Sequence, residues 1–394
     1  MKSIKTLIVQ ENLRHYQVPA QTLLASHPDI DLTVVYGTNV LRTNVSAGQE
    51  NVEGPLPFRV IHGPMGCWHL FGRAFLWHRP AIELLRRESF DVVIHVFEAS
   101  ILSLGYLRRY QQGRGKKFIL WGIGQSLYKT PLLDRLRCRM VRKADAVVFY
   151  AEDNRRRFLD MGLNSDKLFV ARNSIDLTPV SKAIQEWPSE RLNTFEEANH
   201  LRPGPVLLTV GRLMARKRID LLLESAARLI PDWPTLKVVI IGNGPEEQSL
   251  RTLSGKLGLD THVVFTGSII GDEAVAPWFL ASSLVVAPAQ VGHLATHAHA
   301  YSRPLITCDN CDIQGPEVKI LVPGQTGLLY PYGNGAALTD TIATLLNDKN
   351  QCHEMGKKAL TRAYEYCGIP RMMNGFLEAI SYVTGIGIQP FQTS

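Results

Sequence analysis

Hydrophobic residues in the first half of the chain come in short continuous runs separated by amphipathic stretches. The runs cover residues 5–10, 31–36, 58–62, 91–96, 117–121, 145–150 and 168–171. Apolar residues at helical spacing lie between most of them, at residues 73–88, 99–111, 132–143 and 152–161. Continuous apolar runs are typical of strands buried on both faces, and their alternation with helices predicts a parallel sheet built from βαβ units.

The same alternation occurs a second time, after an interruption at residues 179–204, which are polar and contain several prolines. Apolar runs return at residues 206–210, 236–241, 263–266, 284–287 and 305–308, and helical spacing returns at residues 219–229, 246–257, 273–281, 293–301, 336–347, 353–366 and 371–383. We therefore predict an α/β fold with two Rossmann-like doubly wound domains facing across a cleft. The domains are residues 1–178 and 205–368, residues 179–204 form a linker, and a C-terminal helix and tail at residues 369–394 pack back on the first domain.

The composition is that of a globular protein, with 45% hydrophobic and 20% charged residues among 394. No apolar run approaches the roughly 20 residues that a membrane-spanning helix needs, and the start of the chain does not resemble a signal peptide. We therefore expect a cytoplasmic protein. The six cysteines are scattered and we expect them to be reduced. The pair Cys308 and Cys311 forms a single CxxC, for which a redox or zinc site is the less favoured alternative.

Positive charge is concentrated in the first half of the chain. Residues 1–180 contain 25 Lys and Arg against 16 Asp and Glu, and the remainder contains 18 against 20. Such asymmetry indicates an anionic partner for the first domain. The basic stretch at residues 132–143 fits the surface of an anionic membrane, and an ordinary helix with a solvated basic face is equally compatible. Nucleic acid is not expected, because no recognised binding motif is present.

The segment 205–217, PVLLTVGRLMARK, is the most informative part of the chain. A buried strand ends at Gly211 and is followed by Arg212 and Lys217, with Arg218 next. A glycine allows a ligand to approach the backbone, and cations at the carboxyl edge of a sheet neutralise phosphate charge. We predict a phosphate-binding loop here.

Four further motifs follow this loop in a fixed order: IIGNGPE at 240–246, VVFTGSI at 263–269, SSLVVAPAQVGHLATHAHAYSRPLIT at 282–307 and QGPEVKILVPGQTGLLYP at 314–331. Together with the first, this ordered set resembles the nucleotide-sugar domain of retaining GT-B glycosyltransferases of family 4. The resemblance covers residues 205–345 well, and it covers the first half only by architecture and by NSID at 173–176. It implies a glycosyltransferase that uses a nucleotide-diphosphate sugar, retains the anomeric configuration and needs no metal or other cofactor.

The resemblance also implies roles for individual residues. Arg212 and Lys217 hold the donor diphosphate and stabilise the departing nucleotide, and Glu317 lies near the nucleotide. The remaining donor-binding residues are Gly211, Gly242, Asn243, Gly244, Gly292, His293, Leu294 and His297.

One departure from the family pattern stands out. The common Glu-x7-Glu signature is replaced by Ala289 and His297, as in a subset of the family with a VGLxxxH-like helix and a GPE motif. His297 then takes the place that contacts the ribose. Because His293 and His297 are four residues apart, a zinc site is an alternative, and so is a packed histidine.

In the first domain, Glu98 and Gln125 follow predicted strands and are the candidates on the acceptor side. The basic charge of this domain fits a lipid-linked or surface-polysaccharide acceptor and a peripheral position on the inner face of the cytoplasmic membrane. Two alternatives to a glycosyltransferase remain open. A sugar-nucleotide epimerase of the same fold would give a product without an acceptor, and a non-catalytic nucleotide-sugar binding or scaffold protein would bind donor without turnover.

Overall fold

A computed structural model describes residues 3–13, 17–38, 55–70, 73–124 and 131–392. The chain forms two compact units. The first contains Met1–Ile175 together with Gly368–Ser394, and the second contains Asp176–Cys367. The second unit thus interrupts the first in sequence, and the chain passes between the two units twice.

The first unit is built on a parallel sheet. Its strands are β1 (Ile4–Gln10), β2 (Ile30–Thr38), β3 (Arg59–Pro64), β4 (Gly66–Leu70), β5 (Arg73–Trp77), β6 (Val92–Val96), β7 (Lys117–Gly122), β8 (Ala146–Phe149) and β9 (Leu168–Val170). Seven of them pair in parallel in the order β3-β2-β1-β6-β7-β8-β9, and β4 and β5 form a separate antiparallel hairpin. The helices that connect these strands are α1 (Val18–Ala25), α2 (Arg79–Arg87), α3 (Ser103–Gln112), α4 (Pro131–Lys143) and α5 (Glu152–Asp160).

The second unit is built on a six-stranded parallel sheet. Its strands are β10 (Val206–Val210), β11 (Lys237–Ile241), β12 (Val263–Gly267), β13 (Leu284–Ala287), β14 (Leu305–Cys308) and β15 (Gly327–Tyr330). They pair in the order β12-β11-β10-β13-β14-β15, which is the doubly wound order of a Rossmann fold. The strands form because their apolar runs are buried on both faces, as in β13, where all four residues are buried.

Helices precede, connect and follow these strands. They are α6 (Thr178–Gln185), α7 (Ser189–Ala198), α8 (Ile219–Leu229), α9 (Glu247–Lys256), α10 (Asp272–Ala281), α11 (Leu294–Ala300), α12 (Gly335–Asn347) and α13 (Lys349–Tyr366). In α8, Leu222, Ala226 and Leu229 recur at helical spacing and lie in the same buried cluster as Leu207 of β10. This packing fixes the start of α8 directly after the loop that follows β10.

The last helix, α14 (Ile369–Thr384), belongs to the first unit. Its buried Phe376 packs edge-on against Trp121 of β7, with ring centroids 5.2 Å apart. A Cβ at Gly375 would lie 2.3 Å from the carbonyl oxygen of Val170, so only glycine allows this approach of helix to strand. The helix ends at Gly385, which has the left-handed conformation common at helix C-termini.

The prediction of a helix over residues 73–88 is wrong for its first part. Residues 73–77 form β5, which pairs with β4 through Trp68 and Phe75, and the helix starts only at Arg79. Aromatic side chains favour a hairpin over a helix here, whereas the imidazole of His78 accepts a hydrogen bond from the amide of Ala81 and begins the helix.

The segment 179–204, for which we predict a linker, contains α6 and α7 within the second unit. α7 buries none of its residues fully, which explains its polar sequence. It is nevertheless anchored, because Phe195 packs edge-on against Trp278 of α10 with ring centroids 4.8 Å apart. Among the residues described above, no helix is both long and apolar enough to cross a membrane.

Candidate functional site

The sheet of the second unit has its switch point between β10 and β13. The chain leaves β10 through α8 towards β11, and it leaves β13 through α11 towards β14, on the other side of the sheet order. At such a point two adjacent loops diverge and open a crevice at the carboxyl ends of the strands, where doubly wound sheets bind ligands. The two loops are residues 211–218 and residues 288–293.

The loop after β10 begins at Gly211, whose φ of 141° is one that side-chain-bearing residues rarely adopt. Arg212 follows and is half-buried. A short 3-10 turn, Ala215–Lys217, then leads into α8. The predicted diphosphate ligands Arg212 and Lys217 are therefore both placed at the switch point by one loop.

The ammonium group of Lys217 joins the two loops. Its Nζ donates to the carbonyl oxygens of Gln290, at 2.5 Å, and Val291, at 3.3 Å. Burial and, to a smaller extent, the neighbouring Arg216 guanidinium lower the pKa of Lys217 to about 8, although the Glu317 carboxylate acts in the opposite direction. A lysine held in this way is a cation with little hydration, which suits it to a phosphate ligand.

Arg218, the third cation of the motif, is engaged within its own segment. It has a left-handed backbone conformation, with φ 51°, and it precedes α8. Its Nε and Nη2 donate to the carboxylate of Asp220 at 2.9–3.1 Å. The charge of Arg218 is therefore balanced by Asp220, whereas the sequence alone suggests that every cation of this run faces a phosphate.

The glycines after β11 serve a packing purpose that the sequence does not reveal. A Cβ at Gly242 would lie 2.1 Å from the carbonyl oxygen of Gly211, and one at Gly244 would lie 2.1 Å from that of Leu213. The Leu213 amide donates to the carbonyl of Asn243 at 2.9 Å. The two loops thus lie backbone against backbone, with the Asn243 side chain exposed at the surface.

The turn after β13 is held by a residue that the sequence analysis missed. Gln314 donates from Nε2 to the Ala289 carbonyl at 3.0 Å, and its Oε1 accepts from the Val291 amide at 2.9 Å. The Thr307 hydroxyl also donates to the Ala289 carbonyl, at 3.1 Å. Ala289, at the place of the family's first glutamate, is fully buried in this arrangement. The signal that could have identified Gln314 is its position immediately before the GPE motif.

Beyond this turn, Gly292 has a φ of 61° and open space around its Cα, and α11 begins at Leu294, whose side chain is buried. The imidazole Nε2 of His293 lies 3.9 Å from Oε1 of Glu317, and both side chains are mostly buried. Since the Glu317 carboxylate also acts on Lys217, the structure brings Lys217, Glu317 and His293 together.

His297, one turn further along α11, faces a different carboxylate. Its Nε2 lies 3.3 Å from Oδ1 of Asp272, the first residue of α10. Its Nδ1 lies 3.2 Å from the carbonyl oxygen of His293. Sequence reasoning did not identify Asp272, because it lies 25 positions before its partner and in no motif.

His299 is a core residue. It is fully buried, its Nε2 bonds the Thr326 hydroxyl at 2.9 Å, and burial lowers its pKa to about 4. Cys308 is buried at the end of β14 and Cys311 is exposed, and the two are not bridged. Within the described part of the chain, no cluster of three or more His, Cys, Asp and Glu side chains could hold a metal ion.

In the first unit, Glu98 follows β6, which is next to β1 at the corresponding switch point of that sheet. Its side chain is exposed and accepts a hydrogen bond from the Ser100 hydroxyl at 3.2 Å. Gln125 lies outside the described residues.

Residues 191–362, less than half of the chain, match the family model "Glycosyl transferases group 1". Among curated proteins, the chain is similar to an alpha-D-kanosaminyltransferase of Streptomyces kanamyceticus, with 29% identity over 42% of either chain. It is also similar to a D-inositol 3-phosphate glycosyltransferase of Nocardia farcinica, with 27% identity over 57% of this chain and 50% of the relative. The match thus spans half of these relatives' length or less.

Solved structures match almost the whole chain. HepE from Anabaena, in complex with UDP, superposes with a TM-score of 0.71 at 13% identity, over 96% of this chain and 100% of that one. A glycosyltransferase from Rickettsia africae superposes with a TM-score of 0.73 at 14% identity, over 98% and 99%. This likeness shows the fold, and it confirms the predicted α/β class of GT-B type.

Proposed function

We propose that this protein is a glycosyltransferase that moves a sugar from a nucleotide-diphosphate donor to an acceptor. The observation that carries the proposal is the position of Lys217, whose buried ammonium group lies between the two loops of the switch point, in the same loop as Arg212. The match to the glycosyltransferase family model, which covers this site, supports it.

In the proposed reaction, Arg212 and Lys217 bind the two phosphates of the donor. When the bond from the sugar to the diphosphate breaks, negative charge develops on the leaving phosphate, and fixed cations stabilise that charge more than they stabilise the ground state. These two cations take the role that a metal ion has in other enzymes, so we expect no metal requirement. Retention of the anomeric configuration is proposed from the resemblance to family 4.

The donor base and the acceptor are proposed only as classes. UDP is the ligand in the Anabaena structure, and a similar curated protein from Mycolicibacterium smegmatis is named as GDP-mannose-dependent. Uracil and guanine are therefore the first donor bases to test. That relative is a phosphatidylinositol monomannoside mannosyltransferase, which supports a glycan acceptor linked to lipid. Glu98 is proposed to lie on the acceptor side.

The test is binding of UDP, GDP and ADP by titration calorimetry, with and without EDTA. We expect one of them to bind without a metal, and R212A and K217A each to weaken its affinity about tenfold or more, since a charge-assisted contact contributes about 1.5–3 kcal/mol. K256A, which removes an exposed lysine of α9, serves as the control and leaves affinity unchanged. Absence of binding to all three nucleotides, or equal binding by wild type and K217A, contradicts the proposal.

A further inference from the structure

The contact between His297 and Asp272 joins two elements that are separate in sequence. The imidazole Nε2 is 3.3 Å from the carboxylate oxygen, and both side chains are about a quarter exposed, at 28% and 25%. The pair therefore lies at the surface of the second unit, next to the loop that follows β12, and is accessible to a ligand.

The two members of this pair differ in their remaining capacity for hydrogen bonds. The ring of His297 has two nitrogens, and one faces the His293 carbonyl while the other faces Asp272. Both ring nitrogens thus already face an oxygen of the protein, which leaves little of the ring for a ligand. The Asp272 carboxylate has two oxygens with about four lone pairs, of which His297 uses only a part. The group that can receive a ligand is Asp272.

Asp272 is also held firmly in place. The buried hydroxyl of Tyr301 donates to the backbone carbonyl of Asp272 at 3.2 Å. The ring of Phe279 stacks on Tyr301, with centroids 4.6 Å apart, and on His297, with centroids 6.2 Å apart. Backbone and carboxylate are thus fixed by separate contacts, as expected of a group that must present its oxygens in one orientation.

The pair lies one helical turn from the proposed phosphate site. His293 and His297 are four residues apart, so they are about 6 Å apart along the helix axis. His293 contacts Glu317, which in turn acts on Lys217. The group adjoining a diphosphate in a nucleotide is the ribose, and its hydroxyls can donate to a carboxylate, whereas phosphate and carboxylate repel each other.

We propose that Asp272 receives the vicinal hydroxyls of the donor's ribose and that His297 is the positioning residue that orients the carboxylate. This proposal rests on the proposed function, since it needs a nucleoside diphosphate at the switch point. It reassigns the ribose contact from α11, where the resemblance to family 4 places it, to the first residue of α10. The acid that position 297 lacks is supplied from another element.

The test compares UDP, GDP and ADP, each with its 2′-deoxy form, by titration calorimetry. For the nucleotide that wild type binds, we expect the ribose form to bind about tenfold or more tightly than the deoxy form, as for a hydrogen bond to a charged group. In D272A this ratio falls close to one. The substitution weakens binding of the ribose form, which loses its contact to the carboxylate, and leaves binding of the deoxy form unchanged. D272N, whose amide oxygen can still accept, retains an intermediate ratio. E273A removes the neighbouring exposed carboxylate of α10 and keeps the wild-type ratio.

The outcomes separate the two proposals. If wild type binds none of UDP, GDP and ADP, the proposed function fails and the assignment of Asp272 fails with it. If wild type binds one of them through Lys217, but D272A discriminates ribose from deoxyribose as wild type does, only the assignment of Asp272 is overturned. An effect of D272A that appears with UDP-glucose and not with UDP also overturns it, since the contact is then to the transferred sugar. Matching melting temperatures of D272A and E273A show that folding is unaffected.

Discussion

At the scale of single residues, the charge of Lys217 is adjustable in a way that the charge of Arg212 is not. Burial and the neighbouring Arg216 lower the pKa of Lys217 to about 8, so its charge changes within the range in which the protein can be studied. A guanidinium group stays charged throughout that range. A bound diphosphate stabilises the charged form, and its affinity must therefore depend on the protonation of this one side chain.

We predict that nucleoside diphosphate affinity falls as the pH rises above about 8. The amine of Lys217 loses its proton in that range, so the protein must take up a proton when the nucleotide binds. This uptake lowers the affinity by up to about tenfold for each pH unit. Titration calorimetry from about pH 7 to pH 9.5 measures this dependence. In K217R the dependence should flatten, because the replacement keeps its charge. If affinity falls with pH as steeply in K217R as in wild type, a group other than Lys217 is responsible, and the prediction is wrong.

Sequence reasoning located this loop and missed several of its partners. A strand ending at glycine with cations behind it is a local pattern, and the structure places Arg212 and Lys217 at the sheet edge accordingly. Gln314 and Asp272 are in contact with residues 23 and 25 positions away. Such contacts depend on how loops from different strands meet, and single-sequence periodicity carries no information about that.

At the scale of elements, the glycines after β10 and β11 bring two loops into direct backbone contact. Gly242 has a φ of 138°, and the carbonyl oxygen of Gly211 occupies the place where its Cβ would be. Gly242 and Gly244 are predicted donor-binding residues, and in the structure they also leave room for the neighbouring loop. The loop after β10 is thus supported by its neighbour at Gly211 and Leu213.

We predict that G242A lowers the free energy of unfolding by about 3 kcal/mol or more, because it combines an unfavourable φ with a clash against backbone. G258A is the matched control, since Gly258 has a φ of 69° but no atom within 4 Å of its added Cβ. It should cost only the conformational strain, about 1–2 kcal/mol. Urea unfolding followed by circular dichroism compares the two, and equal costs would show that the loops separate easily.

Secondary structure was predictable where the pattern was strong and failed where aromatic residues were dense. The buried strands of both parallel sheets read as continuous apolar runs. The hairpin of β4 and β5 was missed, because its alternating aromatics also fit a helical spacing. α6 and α7 were missed because helices that bury only a narrow side have polar sequences.

At the scale of the whole molecule, part of the positive charge in residues 1–180 is gathered in one place in the structure. Arg139 is the largest influence that lowers the pKa of Lys143, followed by burial and by Arg108 and Arg109 of α3. The ends of α3 and α4 thus bring four cations together on the first unit. The sequence shows the excess of charge, and the meeting of the two helix ends, where Gln112 of α3 donates to the Lys143 carbonyl of α4 at 2.9 Å, places these four cations together.

We predict that the protein binds vesicles containing phosphatidylglycerol more strongly than vesicles of phosphatidylcholine alone. R139Q/K143Q should weaken this binding roughly tenfold or more, since each basic residue near an anionic surface contributes about 1 kcal/mol. The control K256Q/K349Q removes two exposed charges from the second unit. Vesicle sedimentation at low and high salt measures the effect, and equal losses in both double variants contradict a localised contact.

The return of α14 to the first unit affects the order in which the molecule can be completed during synthesis. The sheet face that α14 covers, with Trp121 and Ile119, leaves the ribosome long before the helix does, because the whole second unit is translated in between. At roughly 5–20 residues per second, about 190 intervening residues take about 10–40 s. The second unit is contiguous and can fold during that interval. The first unit is therefore completed only after the second has been translated, and the apolar face that α14 covers stays exposed in the meantime.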